Sequence, residues 1–353
     1  MATKLITFKD VSHDWGEFSL KDVSFNVKEG EYFVILGPTG AGKTLILETV
    51  AGFYTPHCGE IMLRGKECSH LLPEHRKVGF VYQDYALFPH MTVEENIRFG
   101  LEIRGINQQE ADKRVEFLIN MLKISGLRNR YPRNLSGGEK QRAAIARALV
   151  IEPDILLLDE PLSALDTRTR ETLREELKRI HKAQGTTTVH VTHDQTEALL
   201  LADRIAVIID GVVVQIGSPE EVFNAPSSVM VADFLGVENV INGEIVDNVN
   251  GVACVVFDGN KLYASSNLDS GEVYAFLRPE NIILSKTLIE TSARNVIQGR
   301  VEKVTQLGNI YQIHMNTGIS AVVTHQSVEE LELVTGAEVY ASFKATAVHL
   351  IKH

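Results

Sequence analysis

Cysteine is scarce. Cys58, Cys68 and Cys254 are the three in 353 residues, and they stand too far apart for a disulfide framework or a thiolate zinc site. Positive charge is in deficit too: 35 Lys and Arg face 46 Asp and Glu, a net of -11. That balance excludes nucleic acid or an anionic membrane as a partner for the surface as a whole, while leaving room for local basic pockets. Long apolar runs are missing. MATKLITF lacks the apolar stretch of a signal peptide, and nothing approaches the roughly 18 uninterrupted apolar residues of a membrane helix. IAVIIDGVVVQIG, from Ile205, is interrupted by Asp210 and Gly211 and reads as two strands about an Asp-Gly turn. The expectation is a chain of the reducing cytosol that reaches any membrane process through a separate membrane partner. Its length suffices for two or three domains, each with its own core.

Against that background, one stretch carries chemistry outright. In EYFVILGPTGAGKTLILETVAG, Tyr32 to Leu36 read as a buried strand and Leu45 to Val50 as a helix. Between them Gly37, Pro38, Thr39, Gly40, Ala41, Gly42, Lys43 and Thr44 match G-x-x-x-x-G-K-[ST] in full, in the strand–loop–helix context that identifies a P-loop. Glycines allow backbone N–H groups to approach phosphate oxygens, and the helix N-terminus adds a favourable dipole. Lys43 is placed for the β- and γ-phosphates and Thr44 for Mg²⁺. A plain glycine-rich turn before a helix would not need Lys-Thr at those two places.

A second run, DILLLDEP, is a buried strand closing in Asp159 and Glu160. Paired acids alone say little, since many helix starts carry them. At the carboxyl end of a parallel strand they face the edge where open α/β folds bind ligands. Asp159 then suits Mg²⁺, and Glu160 suits the water that attacks a phosphoryl group. LSGGEKQR follows a helix-start pattern, with Ser136 as N-cap and Glu139 completing a capping box. A capped helix is a complete account of it; exposed N–H groups at Gly137 and Gly138, open to a phosphate, are the other.

Taken together these motifs resemble the ATP-binding cassette (ABC) family over about the first 235 residues. The resemblance implies that Ser136, Gly137 and Gly138 bind the γ-phosphate of an ATP held by a second copy, so that a homodimer sandwiches two nucleotides. It implies that Gln83, in FVYQDYALFPH, touches Mg²⁺ and senses the membrane partner. Ser163 to Asp166 would cross the dimer interface, with Asp166 beside the nucleotide, and His193 in VHVTHDQTEA would contact the γ-phosphate. His190, alternating with His193, lies off the motif and reads as structural. Trp15, the single tryptophan, either stacks on adenine, as an aromatic does there in the family, or packs the first hairpin. Lys43, Glu160 and His193 are the expected catalytic set. The implied partners are transmembrane permease subunits and an extracytoplasmic substrate-binding protein, with the chain peripheral on the cytoplasmic face of the membrane. DNA-repair and translation members of the family carry tandem cassettes or a long coiled-coil insert, and neither is found.

The expected architecture is an α/β P-loop ATPase core to residue 236, with a helical insertion over about 86–150, followed by an all-β domain over 237–353. Short β-runs with Gly, Asn and Asp turns mark the change. VYAFLRPENIILSK from Val273 aligns without gaps to VYASFKATAVHLIK from Val339, and NVINGEI from Asn239 to NVIQGRV from Asn295. The intervening HQSVEELELVTG reads as a short helix. Two copies of one β-unit predict a duplicated small barrel, similar to the oligonucleotide/oligosaccharide-binding (OB)-like domains that follow the ATPase in many ABC importers. SARNVIQGRV and FKATAVHL resemble molybdate- and tungstate-binding β-modules. That resemblance implies an oxyanion held by Ser292, Arg294, Lys344 and Thr346, serving as a regulatory ligand; solvated surface charge is the plain alternative. The first copy lacks the set, with Val237-Glu238-Asn239 and Arg278-Pro279-Glu280 at the matching places. The function expected is ATP hydrolysis coupled to import of molybdate or tungstate, with sulfate, iron, polyamine or sugar as rival cargo and a soluble oxyanion store or sensor as a rival class.

Overall fold

Alternating apolar residues open the chain as strands β1 (Lys4–Asp14) and β2 (Ser19–Lys28), paired antiparallel. A computed structural model describes residues 3–353, which divide into a first unit ending at Val222 and a second from Phe223 to His353. In the first unit β3 (Tyr32–Leu36) leads through the glycine loop into α1 (Lys43–Ala51). Strands β4 (Cys58–Leu63) and β5 (Lys66–Glu67) complete a four-stranded sheet in the order β2-β1-β4-β5. Next comes β6 (Val78–Val81).

Helices α2 (Val93–Ile103), α3 (Gln108–Met121) and α4 (Gly137–Leu149) form the predicted insertion. Thr92 and Glu95 close a capping box on α2. Helix α3 buries Ala111, Val115, Leu118 and Ile119 at helical spacing, the face its sequence predicts. Beyond lie β7 (Ile155–Asp159), α5 (Thr167–Gln184), β8 (Thr187–Thr192), α6 (Gln195–Leu201), β9 (Arg204–Ile209) and β10 (Val212–Gly217). The second sheet has the order β10-β9-β3-β8-β7-β6, parallel except for the β9–β10 hairpin. β3, β7 and β8 are buried at every position, as strands of a parallel sheet covered on both faces are; β3 and β7 are mainly apolar, whereas β8 also buries Thr187, Thr188, His190 and Thr192. Asp210 and Gly211 both take positive φ at the β9–β10 turn, the conformation of a tight primed turn. Among the described residues no helix is long and apolar enough to cross a membrane.

After α7 (Pro219–Asn224), α8 (Val229–Phe234) precedes strands β11 (Asn239–Val249), β12 (Val252–Phe257), β13 (Asn260–Ser265), β14 (Gly271–Leu277), β15 (Ile283–Ser285), β16 (Asn295–Leu307), β17 (Ile310–Met315) and β18 (Ser320–Thr324). Helix α9 (His325–Glu330), predicted from HQSVEE, and strands β19 (Glu338–Phe343) and β20 (Val348–Lys352) end the chain. The all-β run begins close to Val237, but the division falls at Val222/Phe223 because Ala232 of α8 shares a core with Val237 and Phe276. The duplication appears as two five-stranded sheets, β13-β12-β11-β14-β20 and β15-β19-β16-β17-β18. Each takes its last strand from the other copy: β20 pairs with β14, and β15 with β19.

The two aligned asparagines hold this exchange. Asn239 accepts from the Ser320 N–H and donates to the Ser320 carbonyl; Asn295 does the same at Tyr263. Each side chain thereby pairs the open backbone of an edge strand, β18 or β13, in the opposite copy. Both asparagines are buried. Asn295→Ala leaves the Tyr263 backbone groups without partners and is expected to cost about 2–3 kcal/mol, read as a lower urea midpoint at unchanged slope.

Candidate functional site

The carboxyl ends of β3, β7 and β8 deliver the predicted residues to one edge. Parallel pairing sets Leu36 beside Thr192 and Asp159 beside Val191, so the residues that follow each strand emerge together. The loop after β3 needs its glycines: a Cβ at Gly37 would lie 2.2 Å from the Ile208 carbonyl oxygen, and one at Gly42, where φ is +90°, would lie 2.5 Å from the Phe18 ring. Lys43, buried, donates to the Gly37 and Pro38 carbonyls at 3.0 and 2.8 Å. Burial lowers its pKa, with Glu160 and Asp159 opposing the shift.

Glu160 occupies a strained position, with φ +40°, a conformation that costs a non-glycine residue about 1–3 kcal/mol. Its Oε1 lies 3.9 Å from Lys43 Nζ and 3.1 Å from His193 Nδ1. The three expected catalytic residues therefore meet at one carboxylate oxygen. Ser163 Oγ donates to the Glu160 carbonyl at 2.9 Å, and Asp166 caps α5 by accepting from the Thr169 N–H. Arg170, which no motif in the sequence singles out, ties this loop to the corner after β8. It donates to the Leu165 carbonyl at 3.0 Å and lies 3.5 Å from Asp194.

A groove of about 530 Å³ runs along the glycine loop, lined by Thr39, Gly40, Lys43, Thr44, Gln83 and Glu160 with Phe18 at its side. Pro38 and Ala41 complete the loop, the Ala41 N–H bonding the Pro38 carbonyl. Trp15 lies outside this lining. It packs against His13, ring centroids 4.0 Å apart, with its plane edge-on to Tyr54 at 5.2 Å. Phe18 is the aromatic residue at the groove, three positions on in the same HDWGEFSL; sequence reasoning passed it over because Trp15 already filled the expected role. Ser136 caps α4 with Glu139 in a closed capping box. Gly137 and Gly138 admit Leu165 and Thr169, which a Cβ would meet at 3.0 and 2.8 Å. None of these three lines the groove of its own chain.

Thr44 Oγ1 donates to Asp159 Oδ1 at 2.9 Å. A hydroxyl and a carboxylate side by side at a phosphate-sized groove form a hard-oxygen donor set that fits Mg²⁺, a cation that takes few protein ligands and completes its shell with phosphates and water. Asp159 is 5% exposed. Burial raises its pKa, Glu160 adds to the shift, and the Thr44 hydrogen bond and Lys43 oppose it.

In the second unit, β16 pairs with β19 so that Asn295 faces Phe343. Arg294 and Lys344, the neighbours of that pair, thus lie together at one end of the sheet, both exposed and neither with a carboxylate partner among the described residues. The Arg294 guanidinium sits over the Tyr263 ring at 4.7 Å. Ser292 lies in the bend before β16 and Thr346 in the single turn over Ala345–Ala347, both exposed. In the first copy the equivalent Arg278 is committed internally, donating to the Phe223 carbonyl at 2.7 Å, and Glu238 bonds Gln312.

A mostly parallel sheet, a phosphate loop and two acids at its carboxyl edge define a P-loop nucleoside triphosphatase. The ABC transporter family model matches residues 20–163 and the TOBE domain model residues 291–350. The Molybdate/tungstate import ATP-binding protein WtpC of Pyrococcus horikoshii is 44% identical over 98% of this chain and 99% of its own. The Spermidine/putrescine import ATP-binding protein PotA of Trichodesmium erythraeum is 41% identical over 89% of this chain and 85% of its own. A dimeric ATP-binding cassette in a post-hydrolysis state, bound to ADP and Pi, superposes with a TM-score of 0.55 at 33% identity, over 61% of this chain and 99% of that one. The chain belongs to the ABC transporter family, as an ATPase subunit followed by a TOBE domain.

The raised pKa of Asp159 means that the folded chain binds its proton more tightly than the unfolded chain does. Without ligand, stability therefore falls as pH rises from the ordinary aspartate range through the raised pKa. Asp159→Asn is expected to raise the melting temperature of the ligand-free protein at neutral pH by about 2 °C, and to abolish the gain in melting temperature that Mg²⁺ and ATP confer on the wild type.

Proposed function

We propose that this chain is the ATP-hydrolysing subunit of an importer for molybdate or tungstate, working as a homodimer on the cytoplasmic face of the membrane. Two transmembrane permease subunits and an extracytoplasmic binding protein complete the assembly. The convergence of Lys43 and His193 on Glu160 carries the chemical part. In the ATP-bound dimer Lys43 leaves the Gly37 and Pro38 carbonyls for the β- and γ-phosphates. His193 contacts the γ-phosphate, and the Glu160 carboxylate accepts a proton from the attacking water. Thr44, Gln83 and Asp159 would hold Mg²⁺, which would neutralise charge on the phosphates. Trp15, outside the lining of the groove and beside His13 and Tyr54, stacks on an adenine that projects beyond the phosphate loop. Ser136, Gly137 and Gly138 reach the nucleotide of the partner copy, with Asp166 at the interface; their absence from the groove of their own chain supports this division.

The cargo reading is supported by the name and coverage of the WtpC relative and by the clustering of Arg294 and Lys344 beside the Asn295–Phe343 pair. A tetrahedral dianion requires several fixed donors, some charged. Ser292, Arg294, Lys344 and Thr346 supply them, assembled in the dimer. Cytoplasmic oxyanion held there favours the open state and slows turnover, which requires tighter binding to that state than to the closed one.

Glu160→Gln is expected to retain ATP binding, accumulate closed dimer in size-exclusion chromatography and lose turnover by about 10²–10³-fold; undiminished turnover removes Glu160 from the role. Calorimetry of the purified protein with molybdate, tungstate and sulfate is expected to show binding of the first two alone, lost in Arg294→Ala. No heat with any of the three rejects the oxyanion reading and leaves other cargo, such as the polyamine named for the PotA relative.

A further inference from the structure

Beneath the carboxyl edge lies a second polar constellation that the hydrolysis site does not use. Tyr32 Oη is 2.9 Å from His190 Nδ1, and His190 Nε2 is 3.2 Å from Glu197 Oε2. The three side chains are 2%, 0% and 2% exposed. The contact between His190 and Glu197 has ion-pair distance without hydrogen-bond alignment. Replacing buried polar groups of this kind with well-packed apolar side chains is often neutral or stabilising, so stability alone does not account for them.

Their placement supplies an account. Tyr32 begins β3, the strand that ends directly before the phosphate loop at Gly37. His190 lies in β8, which ends at Thr192, one residue before His193. Glu197 is in the first turn of α6, whose cap, Asp194, directly follows His193. The corner bearing His193 is thus gripped from both sides by one buried chain of contacts that also reaches the P-loop strand. The far end of α6 returns to the same anchor: the Tyr32 N–H donates to Asp203 Oδ2 and the Asp203 N–H to the Tyr32 carbonyl, both at 2.8 Å. His193 itself is about half exposed, its side chain held by the contact with Glu160.

We propose that Tyr32, His190 and Glu197 form a positioning relay that sets His193 for its γ-phosphate contact and couples the P-loop strand to that corner. This rests on the reading of His193 given above. Tyr32 ends the relay as a protonated hydroxyl and not as a phenolate, since burial, with the Glu197 charge second, raises its pKa well above the usual tyrosine value. Without the relay the corner after β8 keeps its backbone path but loses the anchor on α6, so His193 samples other orientations.

The test uses the full-length chain as wild type, Glu197→Gln, Tyr32→Phe and His193→Ala, with each relay substitution also combined with His193→Ala. Glu197→Gln and Tyr32→Phe are expected to lower kcat for ATP hydrolysis about tenfold with KM nearly unchanged, the scale of an outer-shell orienting partner. Neither is expected to lower kcat further in the His193→Ala background, because coupled residues are not additive. In the nucleotide-free protein, amide exchange at Asp194 to Thr196 is expected to quicken in both variants. Equal fractional losses of kcat with and without His193, or wild-type kcat throughout, overturns the proposal. Should Glu197→Gln fail to fold, Tyr32→Phe, which removes one hydroxyl, decides. Full turnover in His193→Ala overturns the role of His193 instead; the relay then stands or falls on amide exchange at the corner, and unchanged exchange rejects it.

Discussion

The geometry of the hydrolysis site depends on one constraint, the parallel alignment of three fully buried strands. β3, β7 and β8 run the same way with Leu36 level with Thr192 and Asp159 level with Val191. Their chain directions coincide, so a phosphate loop, a pair of acids and a histidine reach the same edge without any long-range loop. Each strand is buried at every position because both faces are covered, which leaves its carboxyl end as the place where the chain can present polar groups to a ligand. The relay of Tyr32, His190 and Glu197 is the exception inside this sheet, and it too joins β3 to β8.

At that edge the protein holds its groups at some cost to its own stability. Asp159 is buried beside a hydroxyl and a second carboxylate, and its pKa rises. Lys43 is satisfied by two carbonyls of its own loop, and burial lowers its pKa. Glu160 sits at a positive φ that a glycine would adopt without strain. All three features fall on residues that meet a charged, hydrated ligand, where a relaxed and self-satisfied arrangement would have nothing left to offer.

The second unit shows what duplication does to a small β-fold. Both copies keep the buried asparagine, a long strand with a register shift and a three-residue turn after the penultimate pairing strand. Exchange makes each sheet depend on the other copy, so neither half closes its own sheet. Outside this shared frame the copies diverge. Arg278 and Glu238 are absorbed into internal contacts, whereas Arg294 and Lys344 flank the Asn295–Phe343 pair with no carboxylate partner among the described residues.

Much of this was legible in the chain because the motifs are local. A P-loop, a strand ending in two acids and a capping box each specify their own structure within about ten residues, and the amphipathic spacing of α3 or the Asp210–Gly211 turn does the same. What sequence could not supply is anything set by which strand lies next to which. Exchange of β15 and β20 between copies, the latching of Asn239 and Asn295 onto opposite edge strands, and the inclusion of α8 with the β-rich unit follow from pairings between residues far apart in the chain. So does the change in His190, from a histidine that reads as merely structural to the centre of a relay. Arg170 escaped notice for the same reason. Residue type and spacing determined the chemistry this protein carries. Tertiary packing alone decided which side chains face one another, because the neighbours of a buried polar group are chosen by the fold and leave no period in the sequence.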